Sequence, residues 1–127
     1  MKSIRRIAAG ALAAAAVLTP AAANADTPYA QASAVVEADG TIANSEHVSD
    51  AWHPRRGTYC ITVDESVDLA GSVAIHATVT GNYDHPRSLS VELWSPACGY
   101  GDKRTIAVFS KIVYGQPADT GFYLSVS

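Results

Sequence analysis

The sequence predicts an all-β chain: a single antiparallel β-sandwich or barrel-like domain of about seven strands, behind a cleaved signal peptide. Three observations carry that expectation. Apolar and polar residues alternate with period two in several short runs, which is the strand signature. Clusters of Gly, Pro, Asn and Asp separate those runs. Beyond the first 25 residues, no window shows the period of an amphipathic helix.

Residues 1–25 read as an address. Lys2, Arg5 and Arg6 precede an apolar, Ala-rich run over residues 7–18. Thr19-Pro20 ends the run, and Ala23-Asn24-Ala25 has the form of a cleavage site. The run is too short for a bilayer, which takes about 20 residues. The twin arginines lack the flanks of a twin-arginine signal, which points to the general secretory route. No Cys follows the cleavage site and no apolar tail closes the chain. The expected mature protein starts at Asp26 and is secreted, extracellular and without a stable membrane anchor.

Removing that segment leaves six basic against twelve acidic residues, a net charge of −6 where the whole chain has −3. An acidic surface disfavours nucleic acid and anionic lipid as partners. The remaining 102 residues suffice for one compact domain and not two.

Residues 26–32 are expected to be a flexible N-terminal tail, and residues 33–127 the β domain. Residues 33–37 form a first short strand, and Asp39-Gly40 a turn of hairpin or bulge type. Residues 41–43 resume extended structure. Residues 46–52 read as a poorly alternating strand, and 53–57 as a turn. Residues 57–63 form the strand expected at the centre. Tyr59, Ile61 and Val63 point to one face, Thr58, Cys60 and Thr62 to the other. Residues 72–80 give the cleanest alternation, with Val73, Ile75, Ala77 and Val79 opposite Ala74, His76, Thr78 and Thr80. Residues 81–86 form a loop. Leu89, Val91 and Leu93 mark the next strand, 95–102 a loop, 105–113 a strand and 115–119 a turn. Phe122, Leu124 and Val126 mark a final strand that should close the sheet.

Cys60 and Cys98 are the two cysteines, in a chain headed for an oxidising compartment. One disulfide is therefore expected, tying the central strand to the 95–102 loop on the face away from Tyr59, Ile61 and Val63. In the chain-entropy account a loop of this length is worth about 4 kcal/mol. No CxxC and no zinc-type Cys/His spacing is present.

Three strings stand out together: Asp39-Gly40-Thr41-Ile42-Ala43, Gly57-Thr58-Tyr59-Cys60-Ile61-Thr62-Val63, and the terminal run from Gly115 to Val126. With them the chain resembles a family of small secreted β-rich actinobacterial proteins, and is similar to terminal modules of phage tail-fibre-like proteins. The resemblance covers most of residues 35–126. Val63 stands where an aromatic is common, and residues 46–52 depart from the pattern. The family carries no established catalytic residues to this chain. The family is mostly of uncharacterised function.

The residues bear on chemistry as follows. His47, His53, His76 and His85 are the available imidazoles. A bent 47–53 segment would bring His47, Asp50 and His53 together as metal ligands; extended, the two His are about 20 Å apart. His76 lies on a polar strand face with Thr78 and Thr80. No G-x-S-x-G elbow is present. Asp64-Glu65 are sequence neighbours, and so small a domain leaves little room for a glycosidase cleft between carboxylates. No catalytic, cofactor-binding or metal residue is therefore assigned. Trp52, Tyr83, Trp94 and Tyr100 lie in or beside loops or on polar faces; they either cover the sandwich or stack on sugars or proteins. The expected function is extracellular recognition or assembly, with an extracellular protein, a cell-surface polymer or further copies of the chain as partner. The alternative is a small hydrolase using a His-containing site.

Overall fold

The computed structural model describes residues 30–99 and 103–127. The chain is all-β over these residues. Eight strands follow in order: β1 (Ala32–Val36), β2 (Ile42–Glu46), β3 (Val48–Arg55), β4 (Thr58–Val63), β5 (Ile75–Thr80), β6 (Ser88–Leu93), β7 (Thr105–Lys111) and β8 (Gly121–Val126). They form two four-stranded antiparallel sheets, one ordered β2-β1-β8-β5 and the other β3-β4-β7-β6. The sheets pack face to face as a sandwich.

Alternation decides which side chains meet between the sheets. Ala34 and Val36 of β1 and Phe122, Leu124 and Val126 of β8 face Tyr59, Ile61, Val63, Ile106 and Val108. Val67 and Leu69 of the β4–β5 connection close one end. Ile75, Ala77, Leu89, Val91 and Leu93 extend the core toward the β5 and β6 edges. Each fully buried aliphatic or aromatic side chain contributes about 1.5–3 kcal/mol by leaving water.

Cys60 and Cys98 form a disulfide across a Cα–Cα distance of 5.7 Å. Tyr59 and Ile61 turn inward, so the bridge lies on the outer face of β4. The 3-10 turn Pro96–Cys98 covers that face, and Ser95 caps it by accepting from the Ala97 N–H. This cover explains why Cys60 and Ala107, which pair across β4 and β7, are buried on the side away from the core.

The β1–β2 turn follows the Asp-Gly reading. Gly40 has φ 91°, and a Cβ there would lie 2.6 Å from Cβ of His53. Asp39 accepts from both the N–H and the hydroxyl of Thr41.

Three expectations need correction. Residues 53–55 belong to β3 and not to a turn; the chain reverses only at Arg56-Gly57. Residues 46–52 are not one strand, because His47, at φ 57°, separates β2 from β3. Gln31 and Ala32 are not a loose tail. Gln31 exchanges two hydrogen bonds with the Asp68 backbone and Ala32 pairs with Val126. The signal segment and residues 26–29 of the tail lie outside the described residues. Among the described residues, no helix is long and apolar enough to cross a membrane.

Candidate functional site

One end of the sandwich gathers the β3–β4 turn, the β5–β6 loop and the β7–β8 loop. Gly57 makes that turn possible. Its φ of 74° is left-handed, and a Cβ would lie 2.6 Å from the Ser110 carbonyl oxygen. The Gly57 N–H donates to Asp119 Oδ1 at 2.8 Å, which ties the turn to the β7–β8 loop. His53 reinforces the tie. Its Nδ1 donates to the Thr58 carbonyl at 2.7 Å, and its Nε2 stands 3.0 Å from Asp119 Oδ1. The imidazole stacks on Tyr59 with ring centres 4.4 Å apart.

Beneath these groups runs a buried polar chain. The Tyr59 hydroxyl donates to Ala38 O at 2.6 Å and accepts from the Thr120 N–H at 2.9 Å. Burial pushes this phenol up to about 12. Thr120 Oγ1 accepts from Arg87 Nε and donates to Ala118 O, so Ser110 Oγ is the donor in the Ser110–Thr120 hydrogen bond. Among the described residues no buried side-chain nitrogen or oxygen lacks a partner.

The same contacts shape an open groove of about 550 Å³. Its walls come from Arg56, from Asn82 to Arg87, and from Ile112 and residues 116–119. Arg87 is fixed. Its guanidinium lies 4.4 Å over the Tyr83 ring, and it donates to the His85 carbonyl and the Thr120 hydroxyl. Tyr83 in turn accepts the Gly121 N–H at 2.7 Å. By contrast, the side chains of Arg56, Asp84 and His85 make no hydrogen bond or ion pair with the described residues.

The β7–β8 loop projects beyond the groove. Tyr114 is 97% exposed, and Val113 beside it is also exposed. Tyr114 has φ 75°, a left-handed conformation that costs an aromatic residue about 1–2 kcal/mol. Backbone bonds from Ile112 to Gln116 and from Gly115 to Ile112 hold the turn in shape.

The aromatics singled out from sequence are dispersed. Tyr83 belongs to the groove, where its hydroxyl and one ring face are already engaged. Trp94, 57% exposed with φ 58°, borders a separate cleft with Val67, Leu69, Lys103 and Arg104. Trp52 stands half-buried opposite Cys60 and lines neither depression. Tyr100 lies outside the described residues. Sequence reasoning missed Tyr114, Arg56 and Arg87. Tyr114 sits directly before Gly115 at a strand end, where a turn exposes whatever precedes the glycine.

The histidines are also separate. His47 Nδ1 faces Asp64 Oδ2 at 3.2 Å and Ser66 Oγ at 3.3 Å. Ser66 also bonds Asp64, and this bond does most to hold the Asp64 carboxyl below its usual range. A Ser-His-Asp relay places Ser and Asp on opposite ring nitrogens; here both face the same one. Asp50 caps its own strand at Ala51 N–H and joins neither His47 nor His53. His76 is exposed on the outer face of β5, across from Ser125. Among the described residues no group of three or more His, Cys, Asp or Glu is placed to hold a metal ion.

Fold and groove together define a disulfide-tied β-sandwich that presents loops at one end. No family model, curated protein or solved structure matches the chain.

Proposed function

We propose that this chain is an exported recognition domain that binds an extracellular partner through the loop end of its sandwich and does no covalent chemistry of its own. The observation that carries the reading is Tyr114. Folding makes no use of a ring that is 97% exposed, yet a hydrogen-bonded turn holds it in a strained conformation beside a preformed groove. Large exposed rings on rigid loops are how many binding modules make contact. The disulfide and the signal-like first 25 residues support export.

The test is binding of the purified mature domain to cell-envelope preparations, with wild type and Tyr114→Ala compared at matched stability. Tyr114→Ala is expected to lose most of the binding and to keep its unfolding midpoint. Equal binding by both proteins overturns the reading. N-terminal sequencing of exported protein is expected to begin at Asp26; a retained Met1 overturns export by signal cleavage.

A further inference from the structure

We infer that the groove takes a polyhydroxylated ligand, an uncharged glycan chain; the inference rests on the recognition reading above and names its ligand class. The groove wall balances hydrogen-bond donors against acceptors. Arg56 offers only donors, and Asp84 only acceptors. Asn82 and Gln116 offer both, and His85 either. Arg56, Asp84 and His85 have no partner among the described residues, so their capacity is open to a ligand. A sugar hydroxyl donates and accepts at once, and a row of hydroxyls matches a wall that alternates the two.

Other ligand classes fit this wall less well. An anion calls for donors throughout, but Asp84 places an open carboxylate in the groove, in a chain that is itself acidic. An apolar ligand would strip water from Arg56 and Asp84 and return no hydrogen bond. An extended peptide recognised by strand addition needs a free sheet edge, whereas this wall is built mostly from loops and turns. The groove is open rather than enclosed, which suits a chain passing through it. Part of its wall is fixed, because Arg87 is held by Tyr83, Thr120 and the His85 carbonyl, while the open side chains of Arg56, Asp84 and His85 lose freedom on binding. Tyr114 does not line the groove, but it stands exposed two residues before Gln116, which does.

The test titrates the mature protein with laminarin, dextran, xylan and mannan as neutral probes, and with alginate and polyphosphate as anionic ones. Binding to at least one neutral polysaccharide is expected. Asp84→Ala and Arg56→Ala should each weaken it by about tenfold or more, since each removes a charged hydrogen-bond partner. Trp94→Ala, at the separate cleft, should leave it unchanged. These side chains are exposed or unpartnered, and equal unfolding midpoints confirm that each variant folds. Binding to the anionic probes alone, indifferent to Asp84→Ala, means that charge and not a row of hydroxyls is recognised; it overturns the uncharged-glycan assignment and leaves recognition standing. So does envelope binding that depends on Tyr114 with no polysaccharide bound. Absence of binding to every probe and to the envelope overturns both.

Discussion

Tyr59 shows how much one side chain can organise. Its ring sits between His53, stacked, and Phe122, edge-on, while its hydroxyl joins the β1–β2 turn to the start of β8. Tyr59→Phe keeps the ring contacts and removes both hydrogen bonds. The buried Thr120 N–H then loses its partner, which should cost about 1–3 kcal/mol in urea unfolding. The pH dependence follows from the same burial. The folded phenol titrates at about 12, against 10.0 for an ordinary tyrosine. Between those values the unfolded chain has released a proton that the folded chain retains, so stability falls as pH rises through the window and is complete below it. Urea midpoints measured from pH 9 to 12 should fall in the wild type and fall less in Tyr59→Phe. The acid side has the opposite sign. Hydrogen bonds from Thr41 lower Asp39, and hydrogen bonds from Ser66 lower Asp64. Their contribution is present above the ordinary carboxylate value and lost as pH falls through the folded one.

At the scale of elements, the bridge and the bulges explain what could be read in advance. The disulfide ties β4 to the Pro96–Cys98 turn, closing a sequence separation of 38 residues. Replacing both cysteines by Ser should cost roughly 2–5 kcal/mol, checked by denaturant unfolding of the double variant. Intact-mass mapping of unreduced exported protein should show Cys60 and Cys98 in one linked peptide pair. β4, β5, β6 and β8 were legible because an unbroken period of two survives along each. β2 and β3 were not. Their pairing shifts register between Val35 and Val36, between Val48 and Asp50, and between Trp52 and Arg55. Each extra residue reverses the alternation beyond it, so the pattern from Ile42 to Arg55 looks irregular though the backbone stays extended. His53 follows Trp52, which pairs with the outward-facing Cys60, so alternation turns its ring inward onto Tyr59. The groove was legible only in fragments. Residues 53–57 and 115–119 read as turns, and residues 81–86 as a loop. Their convergence depends on which strands neighbour one another, and local alternation carries no information about that.

For the whole molecule, the decisive feature is that the first strand described pairs with the last. β8 lies inside its sheet, bonded to β1 on one side and to β5 on the other. β5 has no other partner in that sheet. Removing residues 121–127 therefore does more than shorten the chain. It leaves β5 unpaired, exposes the inner edge of β1, and takes Phe122, Leu124 and Val126 out of the core. Three buried side chains at about 1.5–3 kcal/mol each come to about 4.5–9 kcal/mol, a large share of the about 5–15 kcal/mol of total stability expected of a domain. The disulfide cannot compensate, because both its ends lie in or against the other sheet. A chain ending at Thr120 is expected to lose its cooperative urea transition with the Cys60–Cys98 bond intact, followed by circular dichroism. The full mature chain should show a single transition under the same conditions. A cooperative transition in the shortened chain would mean that β1, β2 and β5 are held by packing on the β3-β4-β7-β6 sheet alone. The β1–β8, β5–β8 and β4–β7 pairings all join strands distant in sequence, so refolding of the full chain should take milliseconds to seconds, the range of all-β sandwiches, in stopped-flow fluorescence of Trp52 and Trp94.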